Sequence, residues 1–262
     1  MSPPFVVAIV QARMGSMRLP GKVLRSLCGK TVLQHVIERV GMADRVNRIV
    51  VATTNQPIDN AIEDQARQCG AAIYRGSEND VLDRYYQAAT CNKADAIVRI
   101  TSDCPLLDPA LLNTMICRFI LAQSDPRPVD YLSNTMTRTF PRGFDVEIFR
   151  SDALAKAWRD ATAPEEREHV TPFFYRHPEK FRLVNHVSSS DRSRYRVTLD
   201  TEADWQMIER VMMEIGIGAR LISGQELLNF LDRHPEIVAI NADVEQISLA
   251  KIQRTDQPLQ SG

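Results

Sequence analysis

The charged side chains best suited to chemistry are concentrated in a short segment near the N-terminus. This basic loop, Arg13-Met14-Gly15-Ser16-Met17-Arg18-Leu19-Pro20-Gly21-Lys22, contains two glycines, two arginines and a lysine. Backbone N–H groups beside glycines can approach an anion closely, and fixed cations neutralise it. No Asp or Glu between Met1 and Ile37 offsets this charge. We interpret the loop as a phosphate-binding site, against the alternative of a surface turn with solvated cations.

Two aspartates are candidates for a metal site that faces this loop. Asp103 directly follows one predicted strand, and Asp200 follows another late in the chain. In nucleotide sites Mg²⁺ typically takes one or two carboxylates together with substrate phosphates. The pair therefore predicts a Mg²⁺ site, although Asp103 alone is typical of a turn and Asp200 alone of a helix N-cap.

Hydrophobic periodicity places the basic loop and Asp103 at one edge of a sheet. Apolar runs indicate strands, and apolar residues at helical spacing indicate helices. The predicted strands are 6–10, 48–53, 71–74 and 95–100, and the predicted helices are 31–40, 58–69, 81–89 and 110–121. Such alternation predicts an α/β fold of three layers, in which a mainly parallel central sheet has helices on both faces. Ligands of such sheets bind beyond the carboxyl ends of the strands, where the loop and Asp103 are expected.

The pattern changes after residue 126. Two further strands, at 129–134 and 144–149, predict a small insertion over about 126–190 that lies over the sheet. Later predicted strands are 181–187 and 195–199, and later predicted helices are 151–160, 164–175, 203–215 and 225–233. We expect residues 1–250 to form a single domain and residues 251–262 to form a polar C-terminal tail.

Composition limits the functional classes. The 262 residues include 32 Lys and Arg against 33 Asp and Glu, so the net charge of −1 gives no general attraction to nucleic acid or to an anionic membrane. No apolar run approaches the roughly 18–20 residues of a membrane span. Five scattered cysteines without a Cys-x-x-Cys pair indicate reduced thiols, which predicts a cytoplasmic location. The basic loop matches neither the P-loop nor the dinucleotide fingerprint.

Three segments together resemble a known family. The basic loop, Thr101-Ser102-Asp103-Cys104-Pro105-Leu106 and Leu199-Asp200-Thr201-Glu202-Ala203-Asp204 are similar to segments of the cytidylyltransferases that activate 3-deoxy-manno-octulosonate and neuraminate. The resemblance is strongest to the subgroup named for spore-coat polysaccharide biosynthesis protein F. Its members carry strings like Tyr131-Leu132-Ser133-Asn134-Thr135, Gly143-Phe144-Asp145-Val146-Glu147 and Glu166-Arg167-Glu168-His169-Val170-Thr171-Pro172. The likeness covers roughly residues 5–215.

The resemblance implies a nucleotide-diphospho-sugar-transferase type of fold, CTP as donor, Mg²⁺ as cofactor and release of pyrophosphate. It implies that Arg13, Arg18, Lys22 and Asp103 are catalytic, and that Asp103 and Asp200 hold the metal. It also implies a homodimer that forms through residues 128–190. The implied nucleotide-binding residues are Gln11, Ala12, Arg13, Gly15, Ser16, Arg18, Lys22, Ser77, Asn79, Asp80 and Asp103.

Polar side chains in the late insertion, where core packing does not require them, predict the acceptor pocket. We expect it to comprise Asn134, Arg142, Asp145, Glu147, Arg167 and His169. The predicted reaction transfers CMP from CTP to a hydroxyl of a sugar acid or a related anionic acceptor, for surface polysaccharide or glycoconjugate biosynthesis. The alternatives are a glycosyltransferase that uses a nucleotide sugar, and a nucleotide-binding module without turnover.

Overall fold

The computed structural model describes residues 3–216 and 221–245. The predicted tail, residues 251–262, lies outside these ranges. Within them, no helix is long and apolar enough to cross a membrane. The strands are β1 (Val6–Gln11), β2 (Ser26–Leu27), β3 (Lys30–Thr31), β4 (Arg48–Thr54), β5 (Ala72–Gly76), β6 (Ala96–Thr101), β7 (Tyr131–Ser133), β8 (Glu147–Arg150) and β9 (Leu183–Asn185). The α-helices are α1 (Val32–Gly41), α2 (Asn60–Gln68), α3 (Val81–Cys91), α4 (Pro109–Leu121), α5 (Ser151–Asp160), α6 (Pro164–His169), α7 (Pro172–Arg176), α8 (Glu202–Ile215), α9 (Gly224–Arg233) and α10 (Pro235–Val238).

A seven-stranded sheet with the order β5-β4-β1-β6-β8-β7-β9 forms the centre of the molecule. Strands β5, β4, β1 and β6 are parallel, β8 is antiparallel to both of its neighbours, and β9 is parallel to β7. This confirms the predicted α/β class with a mainly parallel sheet. From β1 the chain proceeds to β4 and β5 on one side, and then returns to β6 on the other side. The order of strands therefore reverses between β1 and β6, which is where ligands bind in open α/β sheets.

Both faces of the sheet are buried, which explains why its central strands are apolar throughout. In β1, Ala8 and Val10 pack into one hydrophobic cluster, whereas Val7 and Ile9 pack into a second cluster on the opposite face. A strand covered on both sides needs apolar residues at consecutive positions rather than at alternate ones. The continuous apolar run of β1 thus follows from its place between two helical layers.

The strands of the segment over residues 126–190 extend the sheet, which the sequence did not predict, whereas its helices α5 and α7 pack on one face of the sheet as expected. Strand β8 pairs with β6, and Arg99 lies opposite Glu147. Strands β7 and β9 then continue the sheet to its edge. The free N–H and C=O groups on the outer side of β6 need hydrogen-bond partners, and β8 supplies them.

Two other predicted elements differ from the structure. The helix predicted at 164–175 is broken into α6 and α7 at Val170, whose φ of 69° is incompatible with a helix. Residues 195–199 form only an isolated bridge, between Arg142 and Arg196, instead of a strand. Their N–H groups still find partners, since Leu199 donates to the carbonyl of Asp103 over 2.9 Å. This hydrogen bond brings residues 199 and 200 to the end of β6.

Helix α8 begins with a capping box, and the aspartate of that box, Asp204, also forms an ion pair. The Thr201 hydroxyl accepts a hydrogen bond from the Asp204 N–H, and the fully buried Asp204 carboxylate accepts from the Thr201 N–H over 2.9 Å. The same carboxylate accepts from Arg196 Nε and from Asn241 Nδ2, both over 2.8 Å. Because these bonds stabilise the anion, the pKa of Asp204 lies below its ordinary value, although burial opposes this. Asp204 thus fixes the start of α8 and the position of Arg196.

We expect Asp204→Ala to lower the free energy of unfolding by about 3–5 kcal/mol, because the buried Arg196 guanidinium loses a carboxylate partner and the start of α8 loses its capping carboxylate. Urea denaturation followed by circular dichroism measures the loss. The control is Glu202→Ala in the same turn, where an exposed ion pair with Arg25 contributes about 0–1 kcal/mol. Equal losses for the two variants would contradict this account of Asp204.

Gly143 allows residues 142–144 to pass close to residues 197–198. Its φ is 103°, and a Cβ placed on it would lie 2.4 Å from the carbonyl oxygen of Val197. We expect Gly143→Ala to lower the free energy of unfolding by about 3 kcal/mol or more, since both the conformation and the contact exclude a side chain. Gly29→Ala is the control, because φ there is 85° with no atom within 4 Å, and left-handed strain alone costs about 1–2 kcal/mol. If the two variants unfold at the same urea concentration, the close contact with Val197 adds nothing to the loss of stability.

Candidate active site

The basic loop leaves β1 at the point where the strand order reverses. Leu19 is buried in the core, whereas Met17 at the tip of the loop is 95% exposed. The loop folds back on itself because the Gly21 N–H donates to the Met14 carbonyl over 3.1 Å. The Met14 N–H in turn donates to the buried carboxylate of Asp59 over 2.8 Å. A core anchor and two backbone hydrogen bonds therefore fix the loop.

Lys22 joins the basic loop to both candidate metal ligands. Its ammonium group, with a side chain that is only 10% exposed, lies 3.1 Å from Asp103 Oδ2 and 3.1 Å from Asp200 Oδ1. It also donates to the carbonyl of Leu199 over 2.5 Å. The structure therefore brings together the end of β1, the end of β6 and the start of α8.

Lys22 and Asp103 hold each other in the charged form. Burial by itself would lower the pKa of Lys22, but the two carboxylates raise it above its ordinary value. Burial by itself would raise the pKa of Asp103, but the Lys22 charge and the hydrogen bonds from Thr101, Lys22 and Cys104 lower it. Burial and the neighbouring Asp103 raise the pKa of the Cys104 thiol well above its ordinary value, so this thiol is not an activated nucleophile.

Asp200 is not the N-cap of the helix that follows it, because Thr201 takes that place. Its carboxylate faces cations instead: besides Lys22, Arg18 Nη2 lies 3.3 Å away and Arg196 Nη2 lies 2.8 Å away. Three cations thus contact one carboxylate at this edge of the sheet, and Asp103 and Asp204 balance their charge. A ligand with several negative charges can compete with these carboxylates for the cations.

The segment over residues 77–80 lies beside the basic loop. Arg13 Nη1 is 3.5 Å from the carboxylate of Glu78, which connects the two segments. Asp80 caps α3 by accepting from the Asp83 N–H over 2.9 Å, while the Ser77 hydroxyl accepts from the Asp80 N–H over 3.1 Å. Within the described part of the chain, the Asn79 side chain makes no hydrogen bond. Ser77 and Asp80 thus shape the turn, and the turn itself adjoins the loop.

Four of the six predicted acceptor residues have internal partners. Asn134 donates to the Phe144 carbonyl and accepts from the Val146 N–H, and Asp145 binds Arg138 bidentately over 2.6 and 3.0 Å. The other two engaged residues are Glu147, which accepts from Tyr131 and Arg99, and Arg167, which contacts Asp80.

Arg142 and His169 differ from the other four, because the described residues provide neither side chain with a hydrogen bond or an ion pair. Burial lowers the pKa of His169, which favours its neutral form. Burial and the nearby Arg138 lower the pKa of Arg142. The Arg142 guanidinium can therefore bind an anionic ligand without first breaking an internal ion pair with the described residues.

Sequence reasoning predicted Glu147 and Gln11 but missed Arg99 and Tyr131, which complete a polar row on one face of the sheet. Arg99 donates to Glu147, and the Tyr131 hydroxyl donates to the other oxygen of Glu147 over 2.5 Å. Gln11 lies on the neighbouring strand opposite Thr101, and its buried side-chain oxygen has no partner among the described residues. A charged residue within the apolar strand at 96–101 is the signal in the sequence that could have revealed this row. Arg196 was also missed, since its alternating segment looks like any half-buried strand.

Comparison with known proteins agrees with this geometry. A family model described as cytidylyltransferase matches residues 7–230. Spore coat polysaccharide biosynthesis protein SpsF of Bacillus subtilis is 34% identical over 240 residues, which is 88% of this chain and 95% of that protein. The 3-deoxy-manno-octulosonate cytidylyltransferase of Trichlorobacter lovleyi is 40% identical over 116 residues, 44% of this chain and 45% of that protein.

A solved structure extends the agreement to the whole fold. The cytidylyltransferase of Leptospira borgpetersenii is 34% identical and superposes with a TM-score of 0.85 over 93% of this chain and 98% of that chain. The family model covers nearly all of the described sheet, the basic loop and both aspartates. The chain belongs to the cytidylyltransferase family.

Proposed function

We propose that the chain transfers CMP from CTP to a hydroxyl group of a sugar acid and releases pyrophosphate, in surface polysaccharide or glycoconjugate biosynthesis. The observation that carries the proposal is the convergence of the basic loop on Asp103 and Asp200 through Lys22. A triphosphate needs cations, and the site supplies them. Family membership favours this reaction over the glycosyltransferase alternative. Dimerisation through residues 128–190 and a cytoplasmic location stay predictions.

The donor set suits a divalent cation. One oxygen of Asp103 and one of Asp200 lie at the same distance from a single ammonium nitrogen, so one cation can contact both. Carboxylate oxygens are the ligands that Mg²⁺ prefers, with phosphate oxygens and water completing the shell. When bound, the metal neutralises phosphate charge and favours ionisation of the attacking hydroxyl.

The remaining residues of the site position the triphosphate. The Arg13 and Arg18 side chains are 41% and 34% exposed, and each can turn from its present carboxylate partner to a phosphate. We place the nucleotide along the carboxyl ends of β1 and β5, with the triphosphate on the basic loop and the base toward residues 77–80. The acceptor oxygen forms a bond to the α-phosphorus while the bond to the β-phosphate oxygen breaks. Arginines and Lys22 then stabilise the charge on the departing pyrophosphate.

We place the acceptor over the strands β6, β8 and β7. Arg142 supports this position, because the described residues provide its side chain with no hydrogen bond or ion pair. The row of Arg99, Glu147 and Tyr131 offers hydrogen bonds to hydroxyl groups without adding net charge. A guanidinium without an ion pair suits the carboxylate of an acceptor, and the polar row suits its hydroxyl groups.

The function is tested by pyrophosphate release from CTP, UTP, ATP and GTP, each with Mg²⁺ or Mn²⁺. The acceptor panel is 3-deoxy-manno-octulosonate, N-acetylneuraminate, and the neutral sugars mannose and glucose as controls. We expect release with CTP and a sugar acid, and none with a neutral sugar. CTP binding without release for every member of the panel would favour the non-catalytic module.

We expect Asp103→Asn to reduce the rate of pyrophosphate release by about 100-fold or more, because the metal and the phosphates lose a charged ligand. The circular dichroism spectrum should remain that of the wild type. Asp64→Asn, in an exposed position of α2, is the matched control and should keep the wild-type rate. A folded Asp103→Asn protein with normal metal-dependent release would refute the assignment.

We expect Arg142→Gln to raise the KM for the sugar acid by about tenfold or more, since a charge-assisted hydrogen bond contributes about 1.5–3 kcal/mol. The KM for CTP should change less than twofold. Arg45→Gln, which precedes β4 at the opposite edge of the sheet, should leave both constants unchanged. If the constant for CTP rises as much as that for the sugar acid, Arg142 does not belong to the acceptor pocket.

A further inference from the structure

We propose that Lys22 occupies the cation position between Asp103 and Asp200 until a nucleotide draws it away, so that a divalent metal binds there with CTP and not before it. The inference rests on the proposed function, because it concerns the order in which the same site is filled. It assigns Lys22 a second role besides contact with the leaving pyrophosphate. That role is to exclude metal from the two carboxylates.

The present partners of Lys22 satisfy its ammonium group completely. An ammonium has three N–H donors, and three acceptors surround this one at 3.1, 3.1 and 2.5 Å. The acceptors are the carboxylates of Asp103 and Asp200 and the carbonyl of Leu199. Because all three N–H donors have partners, the ammonium group leaves this position only if other acceptors replace these hydrogen bonds.

A divalent ion and this ammonium exclude each other. Mg²⁺ bonds to carboxylate oxygens at about 2.0–2.1 Å, so an ion that used both aspartates would lie between the same two oxygens that Lys22 contacts. Two cations in that space would repel each other strongly, because burial weakens the screening by water. Metal therefore enters only when Lys22 moves.

Phosphate oxygens are the acceptors that can take Lys22 away. Arg18, which lies 3.3 Å from Asp200, and the exposed tip of the basic loop place the triphosphate beside the ammonium. Phosphate offers charged acceptors that replace both carboxylates at once. The nucleotide thus removes the competing cation and brings additional metal ligands in the same event.

Neighbouring carboxylates do not offer the metal an alternative place. Asp204 is fully buried and engaged by Arg196, Asn241 and the start of α8. Glu202 pairs with Arg25 at an exposed position, where one carboxylate binds a divalent ion weakly. Metal binding at this edge of the sheet consequently reports on Asp103 and Asp200.

The test is a titration with Mn²⁺ alone, in the absence of nucleotide, followed by electron paramagnetic resonance of the free ion. We expect Lys22→Met to bind Mn²⁺ about tenfold or more tightly than the wild type, because the two carboxylates lose their internal cation. Lys30→Met is the matched control, since it removes a lysine that pairs with Glu38 away from the site, and it should bind as the wild type does. The double variant Lys22→Met/Asp103→Asn should bind Mn²⁺ no more tightly than the wild type.

A conservative variant and a spectroscopic measurement guard against misfolding of Lys22→Met. Lys22→Arg keeps a cation between the carboxylates and should bind Mn²⁺ as weakly as the wild type. In ¹⁵N-labelled wild-type protein, the ammonium signal of Lys22 is assigned by its absence from Lys22→Arg. We expect Mg²⁺ alone to leave this signal in place, and Mg²⁺ with pyrophosphate to shift it.

The displacement model is overturned if Lys22→Met binds Mn²⁺ no more tightly than the wild type, or if Mg²⁺ alone shifts the Lys22 signal. It is also overturned if the gain survives Asp103→Asn, because the metal then binds elsewhere. Pyrophosphate release is measured on the same samples. Normal release from the wild type together with any of these results would refute the order of binding and leave the proposed reaction intact.

Discussion

The ion cluster of Lys22, Asp103 and Asp200 is the interaction on which the site depends. It joins residues that lie up to 178 positions apart in the chain. Largely buried carboxylates are stable only with cations and hydrogen bonds around them, so the end of β1, the end of β6 and the start of α8 must converge. Arg196 extends the cluster from Asp200 to the buried Asp204. The basic loop therefore has a fixed position relative to the candidate metal ligands.

Hydrophobic pattern predicted the first half of the fold well for a physical reason. Strands β1, β4 and β6 are covered on both faces, so they are apolar runs between amphipathic helices, and that signal is strong. The second half depends on long-range pairing instead. Residues 147–150 join β6 as an antiparallel strand, and residues 195–199 make a single bridge to Arg142. The local hydrophobic periodicity of the sequence predicts neither of these pairings.

The candidate site could be predicted where its charged residues have no oppositely charged neighbours in the sequence. The basic loop has no acidic neighbour in sequence, so its convergence with Asp103 and Asp200 could be anticipated. The roles of residues 134–169 were harder to predict. In the sequence, a polar side chain with an internal hydrogen-bond partner looks the same as one that is free to bind a ligand. Asn134 binds the backbone of residues 144 and 146, and Asp80 pairs with Arg167 across the predicted division between nucleotide and acceptor. Only three-dimensional pairing separates these from Arg142.

Charge compensation also distinguishes two parts of the sheet. The ion cluster at the ends of β1 and β6 is constrained, since replacement of Lys22 would remove a cation from both Asp103 and Asp200. The face formed by β6, β8 and β7 is less constrained, because Arg99, Glu147 and Tyr131 form a nearly neutral group that exchanges hydrogen bonds within itself. None of these hydrogen bonds involves Lys22, Asp103 or Asp200. The ion cluster and this polar group are therefore held together by different sets of hydrogen bonds on one sheet.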